Sequence, residues 1–384
     1  MKAALPLADV LTPQGTLLYS LQQAPELLSL ELSCGSGNGP RYAGTLTLSD
    51  PKELFRLCSG LLPHDALLRL RLQQPEGMVL PLALCRPVAV QHTVSSNTRT
   101  ARISLRDKWA DLDGTLGGTL QGAHVIPAGS DVFAALHALL QLGRYDLAPR
   151  SPYPIDPLPP LFTTWYQGRS QLLPGGSTVP LTTLPHDLAL EGGRTLGDVV
   201  LALADVLSAR VGYDPCGRLT LQPGDQALPP AQLPLRRRFT AQDPDLFSFA
   251  PLADAASLVN EVIVLGGETD GVPAFGLARN TDPADAGCIG RVGLHSRVLE
   301  CPGLFSNDQC RSYAKRMLAL EQGAGRSLLL RCAPIAALQP GDRIMLQRPD
   351  LPGTPEQSLQ VQSFTLRLAP GRSEMELRTI ILNT

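Results

Sequence analysis

The side chains of this sequence that could take part in catalysis are few and scattered. His186 and Asp187 are adjacent, and a histidine beside a carboxylate can serve as a general base. They lie in a proline-rich loop, however, and adjacent residues of an extended chain point to opposite sides. We therefore interpret the pair as loop residues, with catalysis as the alternative. His137 falls within a predicted helix and is interpreted as a polar helix residue.

Two loop-like motifs could suggest ligand binding, and neither has the required context. Gly35, Gly37 and Gly39 lie in "CGSGNGP", but a dinucleotide fingerprint needs a helix after the glycines, and here another strand pattern follows. The "NTDPADAG" stretch at 280–287 lacks the glycine and bidentate glutamate of an EF-hand calcium loop. We interpret both as turns, and we expect no catalytic residue, cofactor or metal.

The cysteines and arginines allow only weak statements about chemistry. The eight cysteines contain no CxxC pair, and Cys301 and Cys310, nine residues apart, have no nearby histidine. We expect reduced, buried thiols. The "LRRRF" run, with Arg236, Arg237 and Arg238, could meet phosphate or an acidic neighbouring subunit, or form a solvated edge.

Composition places the chain among globular proteins. Its 384 residues are enough for two or three domains. Of these residues, 43% are hydrophobic and 18% are charged. With a net charge of −2, nothing in the charge balance argues for a nucleic-acid coat or an anionic membrane surface as partner. We expect neither a secretory signal nor a membrane-spanning segment.

Period-2 alternation dominates the first third and predicts strands with one buried face. It is clearest at 28–34, at 68–72 and at 102–106. One helix is predicted from Pro51 to Leu61, since Asp50 could cap it, proline suits its first position, and Glu53 would follow the cap by three residues.

The middle third predicts a small α+β unit. Helices are expected from Asp131 to Leu142 and from a Thr195 cap to about Arg210. The proline-rich stretch from Pro149 to Phe162 cannot lie inside a sheet and is expected to be an extended connector.

The last third returns to strands. A helix from Ser306 to Gln322 carries a capping box, and Pro340-Gly341-Asp342 predicts a sharp corner before a strand. The alternation changes phase before the closing hairpin, which predicts a β-bulge near Ser363.

Several motifs of the last third occur in a recognisable order. An N-x-V-x-V-x-G strand at 260–266 precedes Asp282-Pro283, a G-R-V segment at 290–292 and an L-x-P-G-D-x-I corner at 338–344. With the "GYDPCGRLTLQP" hairpin, this order over about 190–384 resembles tail hub proteins of phages and phage-derived injection devices. The first third is similar to that family only in kind, as an alternating β region.

The resemblance implies a mainly β fold with α+β insertions. Its parts would be a tube-like β-barrel domain at 1–115, an α+β linking domain at 116–240 and a second tube-like β-barrel at 241–384. The two barrel regions should share one fold, each with one helix beside it.

The resemblance also implies a structural role without catalysis, at the tip of a virion tail. Three copies would form a pseudo-sixfold ring. Its partners would be a tail tube or distal tail protein above and a spike, fibre or tail-tip protein below, with DNA or tape-measure protein passing through the channel. Two alternatives stay open: a cell-wall hydrolase of the tail tip acting through His186 and Asp187, and a hexameric distal tail or adaptor ring protein.

Overall fold

A computed structural model describes most of the chain. It covers residues 4–22, 27–37, 39–57, 61–74, 76–96, 98–142, 166–172, 177–207, 209–223, 233–240, 242–252, 258–269, 271–324, 327–335, 337–347 and 356–382. The predicted proline-rich connector from Pro149 to Phe162 lies outside these residues. Within them, no helix is long and apolar enough to cross a membrane.

The described chain is mainly β, as predicted. Its strands are β1 (Leu5–Leu11), β2 (Leu17–Gln22), β3 (Leu27–Gly35), β4 (Tyr42–Ser49), β5 (Leu67–Gln73), β6 (Val79–Val94), β7 (Arg99–Asp107), β8 (His124–Ile126), β9 (Ser170–Leu172), β10 (Thr178–Pro180), β11 (Leu188–Leu190), β12 (Ala209–Tyr213), β13 (Leu219–Pro223), β14 (Leu235–Phe239), β15 (Leu246–Leu252), β16 (Glu261–Thr269), β17 (Val272–Arg279), β18 (Ser296–Cys301), β19 (Ser327–Cys332), β20 (Arg343–Gln347), β21 (Glu356–Ala369) and β22 (Arg372–Ile381). The helices are α1 (Val132–Leu142), α2 (Leu196–Val206), α3 (Ile289–Val292) and α4 (Asn307–Ala324), with a 3-10 turn at Lys108–Asp111.

One 13-stranded sheet joins the two ends of the chain. Its strands lie in the order β15-β19-β22-β21-β3-β4-β7-β6-β5-β1-β2, and β20 pairs with both β21 and β14. The alternating apolar residues of these strands meet in one buried cluster, in which Leu32, Leu46, Leu68, Ile103, Leu330 and Leu366 are each fully buried. Burial of one face explains why the sequence alternates so regularly there.

The middle region is a separate α+β unit with its own core. Helices α1 and α2 pack with short two-stranded sheets around Trp109, Leu136, Val199 and Leu203. As predicted, Thr195 caps α2, and with Asp198 it forms a capping box: the Thr195 hydroxyl accepts from the N–H of Asp198, whose carboxylate accepts from the N–H of Thr195.

A second α+β unit lies within the last third. The apolar strand β16 pairs with β17 and, in parallel, with β18, and α4 packs on β16 and β17. These strands do not join the large sheet, whereas β14, which precedes residue 241, does. The division into residues 1–115, 116–240 and 241–384 stays a prediction. The second α+β unit is an insertion into the third of these parts.

The helix predicted from Pro51 to Leu61 is wrong. The Asp50 carboxylate does accept from the N–H groups of Leu54 at 2.7 Å and Phe55 at 3.2 Å, as a cap would. The chain nevertheless turns at Pro51 and reaches φ +54 at Glu53, which is incompatible with a helix. Phe55 is buried in the sheet core, so tertiary packing overrides the local signal. Residues 58–60 lie outside the described chain.

The other helix predictions, the bulge and the corner are confirmed. Helices α1, α2 and α4 occur where expected, although α2 ends at Val206, short of Arg210. The β21–β22 register shifts between Val361 and Ser363, which is the predicted bulge. At the corner, Gly341 has φ +98, a conformation that favours glycine.

Candidate assembly interface

The structure does not assemble a catalytic site from His186 and Asp187. The Asp187 carboxylate accepts from the backbone N–H of Ala128 at 2.7 Å, and the His186 ring packs against the Phe305 ring with centroids 5.3 Å apart. The two side chains therefore contact separate partners, and each holds a loop in place.

The arginine run is neutralised within the chain. Arg236 pairs with Asp342 at 2.8 Å, Arg237 with Asp243 and Asp245, and Arg238 with Glu356 at 3.2 Å. Because each guanidinium has a carboxylate partner, the run fits a sheet edge paired with its own surroundings better than a phosphate site.

The remaining motifs lie where the turn interpretation places them. In the 280–287 stretch, the Asp282 and Asp285 carboxylates accept from the N–H groups of Ala284 and Gly287, which closes two turns. Seven described cysteines are free thiols and all but Cys216 are buried. Among the described residues, no group of three or more His, Cys, Asp and Glu side chains is arranged to hold a metal ion.

The large sheet contains the same strand order twice. In its first half the order is β3-β4-β7-β6-β5-β1, and in its second half it is β15-β19-β22-β21-β20-β14. Strands at equivalent positions of the two orders also occur in the same order along the chain. We call these six-strand sets the first and the second repeat.

The repeats also share two bulges, which align them residue by residue. Between β3 and β4 the register skips Leu28, and between β15 and β19 it skips Phe247. Between β6 and β7 it skips Val88, and between β21 and β22 it skips Gln362. A bulge depends on local pairing geometry, so two bulges at matching positions indicate one architecture used twice.

The repeats differ in several places, among them a bulge at Leu82 between β5 and β6 that the β20–β21 pair lacks. Strand β2 has no counterpart, β5 pairs with β1 antiparallel whereas β20 pairs with β14 in parallel, and the second repeat carries the inserted β16–β18 and α4 unit. The insertion lies between β15 and β19, where the first repeat has only the β3–β4 hairpin.

Both connections between these strands contact the middle unit. In the first repeat, the N–H of Gly39 donates to the carbonyl of Val211 at 3.0 Å. In the second, Gly303 lies so close to the carbonyl oxygen of Ala202 that a Cβ would be 2.1 Å from it, and Phe305 enters the core of the middle unit. Equivalent positions of the two repeats thus hold the same unit.

The repeats meet at a junction between β21 and β3. These strands pair antiparallel, with Leu366 opposite Leu32 and Leu368 opposite Leu30, all four buried. On the other face, Arg367 donates to Glu31 at 3.1 Å, and the Ser33 and Thr365 hydroxyls are 3.0 Å apart. The junction continues the ladder and the core without a break.

Two strand edges at the far sides of the repeats have no paired strand in the described chain. Strand β15 pairs only with β19, and residues 86–94 of β6 pair only with β7, since β5 covers the first half of β6 alone. Phe247 and Val94 are 53% and 60% exposed on these strands. Open ladders with apolar side chains are surfaces onto which another strand can add.

A buried carboxyl near the insertion has a raised pKa. Asp205 of α2 lines a cavity together with Cys301 of β18, and burial raises the pKa of its carboxyl to about 7 while Arg316 opposes the rise. We interpret it as a buried acid in the contact between the middle unit and the insertion.

Stability should therefore depend on pH through Asp205. The folded chain keeps this proton up to about pH 7, whereas the unfolded chain releases it near pH 4, so stability falls as pH rises between these values. Asp205→Asn removes the ionisation. The free energy of unfolding of the variant relative to wild type should rise by about 2–4 kcal/mol between pH 5 and pH 8. Melting temperatures measured at both pH values report this change.

The matched control is Asp308→Asn, whose carboxylate is 91% exposed. Its difference from wild type should stay nearly constant over the same range, because the side chain is surrounded by solvent in the folded and the unfolded chain alike. A constant difference for Asp205→Asn as well would contradict the assignment.

Comparison with known proteins identifies the fold. No protein-family model matches the chain, and no curated protein sequence matches it. Among solved structures, the tail protein from Neisseria meningitidis MC58 is similar with a TM-score of 0.60 at 14% identity, over 98% of this chain and 96% of that one. The 43 kDa tail protein of prophage MuSo2 from Shewanella oneidensis is similar with a TM-score of 0.59 at 8% identity, over 98% of both chains. The chain thus has the fold of these tail proteins, and the resemblance inferred from sequence is confirmed at the level of fold.

The resemblance implied that two regions share one fold, but the sequence did not show which strands and bulges correspond. Matching strands carry different residues, such as His92 where the second repeat has Leu366. One signal was available: Pro87 interrupts an alternating run, and proline within a strand often marks an edge or a bulge.

Proposed function

We propose that the chain is a structural protein of a phage tail or a related injection device, in which three copies form a ring of six repeats around a channel. The observation that carries the proposal is the duplicated strand order with its matching bulges. It is supported by the shared fold with two tail proteins over nearly the whole chain.

The repeat explains how a threefold assembly could meet a sixfold one. A closed ring requires repeated interfaces, and a chain with two equivalent repeats offers six such positions in three copies. One face of the ring would then match a sixfold tail tube or distal tail protein. The insertion, present in only one repeat of each chain, would give the ring threefold features suited to a spike or fibre.

The polar face of the sheet is suited to line the channel. It carries paired charges of both signs: Arg367 contacts Glu31 and Glu376, and Arg331 contacts Glu374 and Glu376. Mixed charges that already have partners would hold neither DNA nor a tape-measure protein firmly, so either could pass. We propose that this channel lies at the tail tip of the virion.

The mass of the purified assembly tests the proposal. We expect three times the 41.0 kDa mass of the chain, and images of the particle should show a pseudo-sixfold ring around an opening. Six copies would support the adaptor-ring alternative instead, and a monomer at all concentrations would refute both.

The hydrolase alternative has a separate test. If the tail tip degrades cell wall through this chain, the purified protein should clear peptidoglycan in a zymogram and His186→Ala should abolish the clearing. We expect no clearing, because His186 and Asp187 contact different loops.

A further inference from the structure

We infer that the open edge of β15 in one copy pairs antiparallel with residues 86–94 of β6 in the next copy, repeating between chains the junction that β21 and β3 make within one chain. The inference rests on the proposed ring and adds the surface and the register that would close it. The partner is a second copy of this chain.

The two open edges are the counterparts of the two edges joined at the internal junction. In the shared strand order, β6 occupies the place of β21 and β15 occupies the place of β3. Strand β21 uses its first half for β20 and its second half for β3. Strand β6 uses its first half for β5, and its second half is open along the corresponding edge.

The matching bulges set the register of the inferred pairing. The skipped residues Val88 and Gln362 align β6 with β21, so Val94 corresponds to Leu368 and Thr93 to Arg367. The skipped residues Leu28 and Phe247 align β15 with β3 in the same way, as a separate observation. Transferring the internal pairs places, among others, Val94 opposite Phe249, Thr93 opposite Ala250, and His92 opposite Pro251.

Burial supports the correspondence. Leu368 and Leu30 are 1% exposed at the internal junction, whereas their counterpart Val94 is 60% exposed and their counterpart Phe249 is partly exposed. Positions that are covered at the internal junction thus correspond to more exposed positions on the two outer edges. An added strand would cover the open positions as β3 covers β21.

The inferred interface is less polar than the internal one. The Arg367–Glu31 ion pair corresponds to Thr93 and Ala250, so the pairing between chains has no ion pair at that position. Pro251 has no N–H to donate, so the ladder between chains lacks one donor there. A proline is tolerated on an edge strand and would also limit pairing with unrelated strands.

The geometry leads to a ring, because each copy presents one edge of each kind at opposite sides of its sheet. Such a heterologous contact closes when the rotation between neighbours divides a full turn. If the contact between chains repeats the internal junction, every step in the ring is equivalent, and three copies supply the six steps.

Disulfide trapping tests the register. In a Cys216→Ser background, which removes the one exposed thiol among the seven described cysteines, Thr93→Cys and Ala250→Cys are introduced together. Both positions are exposed, and opposing residues of an antiparallel pair lie close enough for a disulfide. On mild oxidation we expect most of the protein to migrate as covalent dimers and trimers on a non-reducing denaturing gel, with reduction restoring the monomer.

Three controls define the result. Glu31→Cys with Arg367→Cys, the equivalent internal pair, should form a disulfide within one chain and leave the gel mass unchanged. Thr93→Cys with Ser248→Cys, shifted by two residues on the same face, should give much less cross-linking. Each single cysteine variant should give only the background of the native thiols.

The outcomes separate the inference from the proposed ring. Cross-linking at Thr93 and Ala250 above all controls supports both. A native mass of three chains without this cross-link refutes the strand pairing and leaves the ring standing. A monomeric native mass refutes the ring and, with it, the pairing.

Discussion

Replacing Arg86 with methionine is expected to lower the free energy of unfolding by about 3–5 kcal/mol. Arg86 is the first residue of the open half of β6, and its side chain is fully buried. It donates to the Asp111 carboxylate at 3.2 Å and to the carbonyl oxygens of Ala66 at 2.8 Å and His64 at 3.0 Å. Methionine fills similar space and donates to none of them, so a buried carboxylate would lose its cation.

The control is Arg99→Met, which removes an arginine from the neighbouring strand. Arg99 contacts Glu53 at 3.0 Å with its side chain 49% exposed, so the loss should stay below about 1 kcal/mol. Urea unfolding of both variants measures the difference. Similar losses for the two would show that burial does not determine what Arg86 contributes.

Gly276→Ala is expected to displace α4 from the three-stranded sheet. A Cβ on Gly276 would lie 2.1 Å from the carbonyl carbon of Cys310 and 2.3 Å from the nitrogen of Arg311, both of which are backbone atoms of α4. Backbone cannot rotate away as a flexible side chain can, so the helix must move. We expect a loss of about 3 kcal/mol, since overpacking at a tight contact costs this much.

Hydrogen exchange locates this effect. Amides of α4 should exchange faster in Gly276→Ala, while those of β3, β4 and β7 in the large sheet should be little changed, because the inserted unit has its own core. Gly290→Ala, in the same unit, has no atom within 4 Å of its added Cβ and should behave as wild type. Unchanged exchange in α4 of Gly276→Ala would contradict the contact.

The local predictions from sequence succeeded where local physics decides the structure. The capping box of Thr195 and Asp198, the phase change at Ser363 and the turn at Gly341 each depend on residues that are close in sequence. The overall fold also followed, since alternation is dictated by a sheet with one buried face.

The errors came from interactions between distant residues. Asp50 caps the N–H groups that follow it, yet Phe55 is drawn into the core of a sheet whose strands span the whole chain, so no helix forms. The apolar strand β16 was assigned to the last β region, although it pairs with β17 and β18 beneath α4. The local sequence pattern encodes neither the packing of Phe55 nor the strand partners of β16.

The interface could not be predicted because it is defined by correspondence between two parts of the fold. Val94 and Phe249 are ordinary apolar strand residues in the sequence, and only the register of four strand pairs makes them equivalent to Leu368 and Leu30. Side chains at corresponding positions differ, while the backbone bulges match.

The attachment of the middle unit at two equivalent positions has a mechanical consequence. A body fixed at one point can swing about it, but the middle unit is fixed by Gly39 of one repeat and by Gly303 and Phe305 of the other. A torque applied to it would therefore pass into both repeats through stiff, close-packed contacts. In a ring of three chains, a load on the middle units would be shared by all six positions, so the wall would tend to turn as a single rigid body.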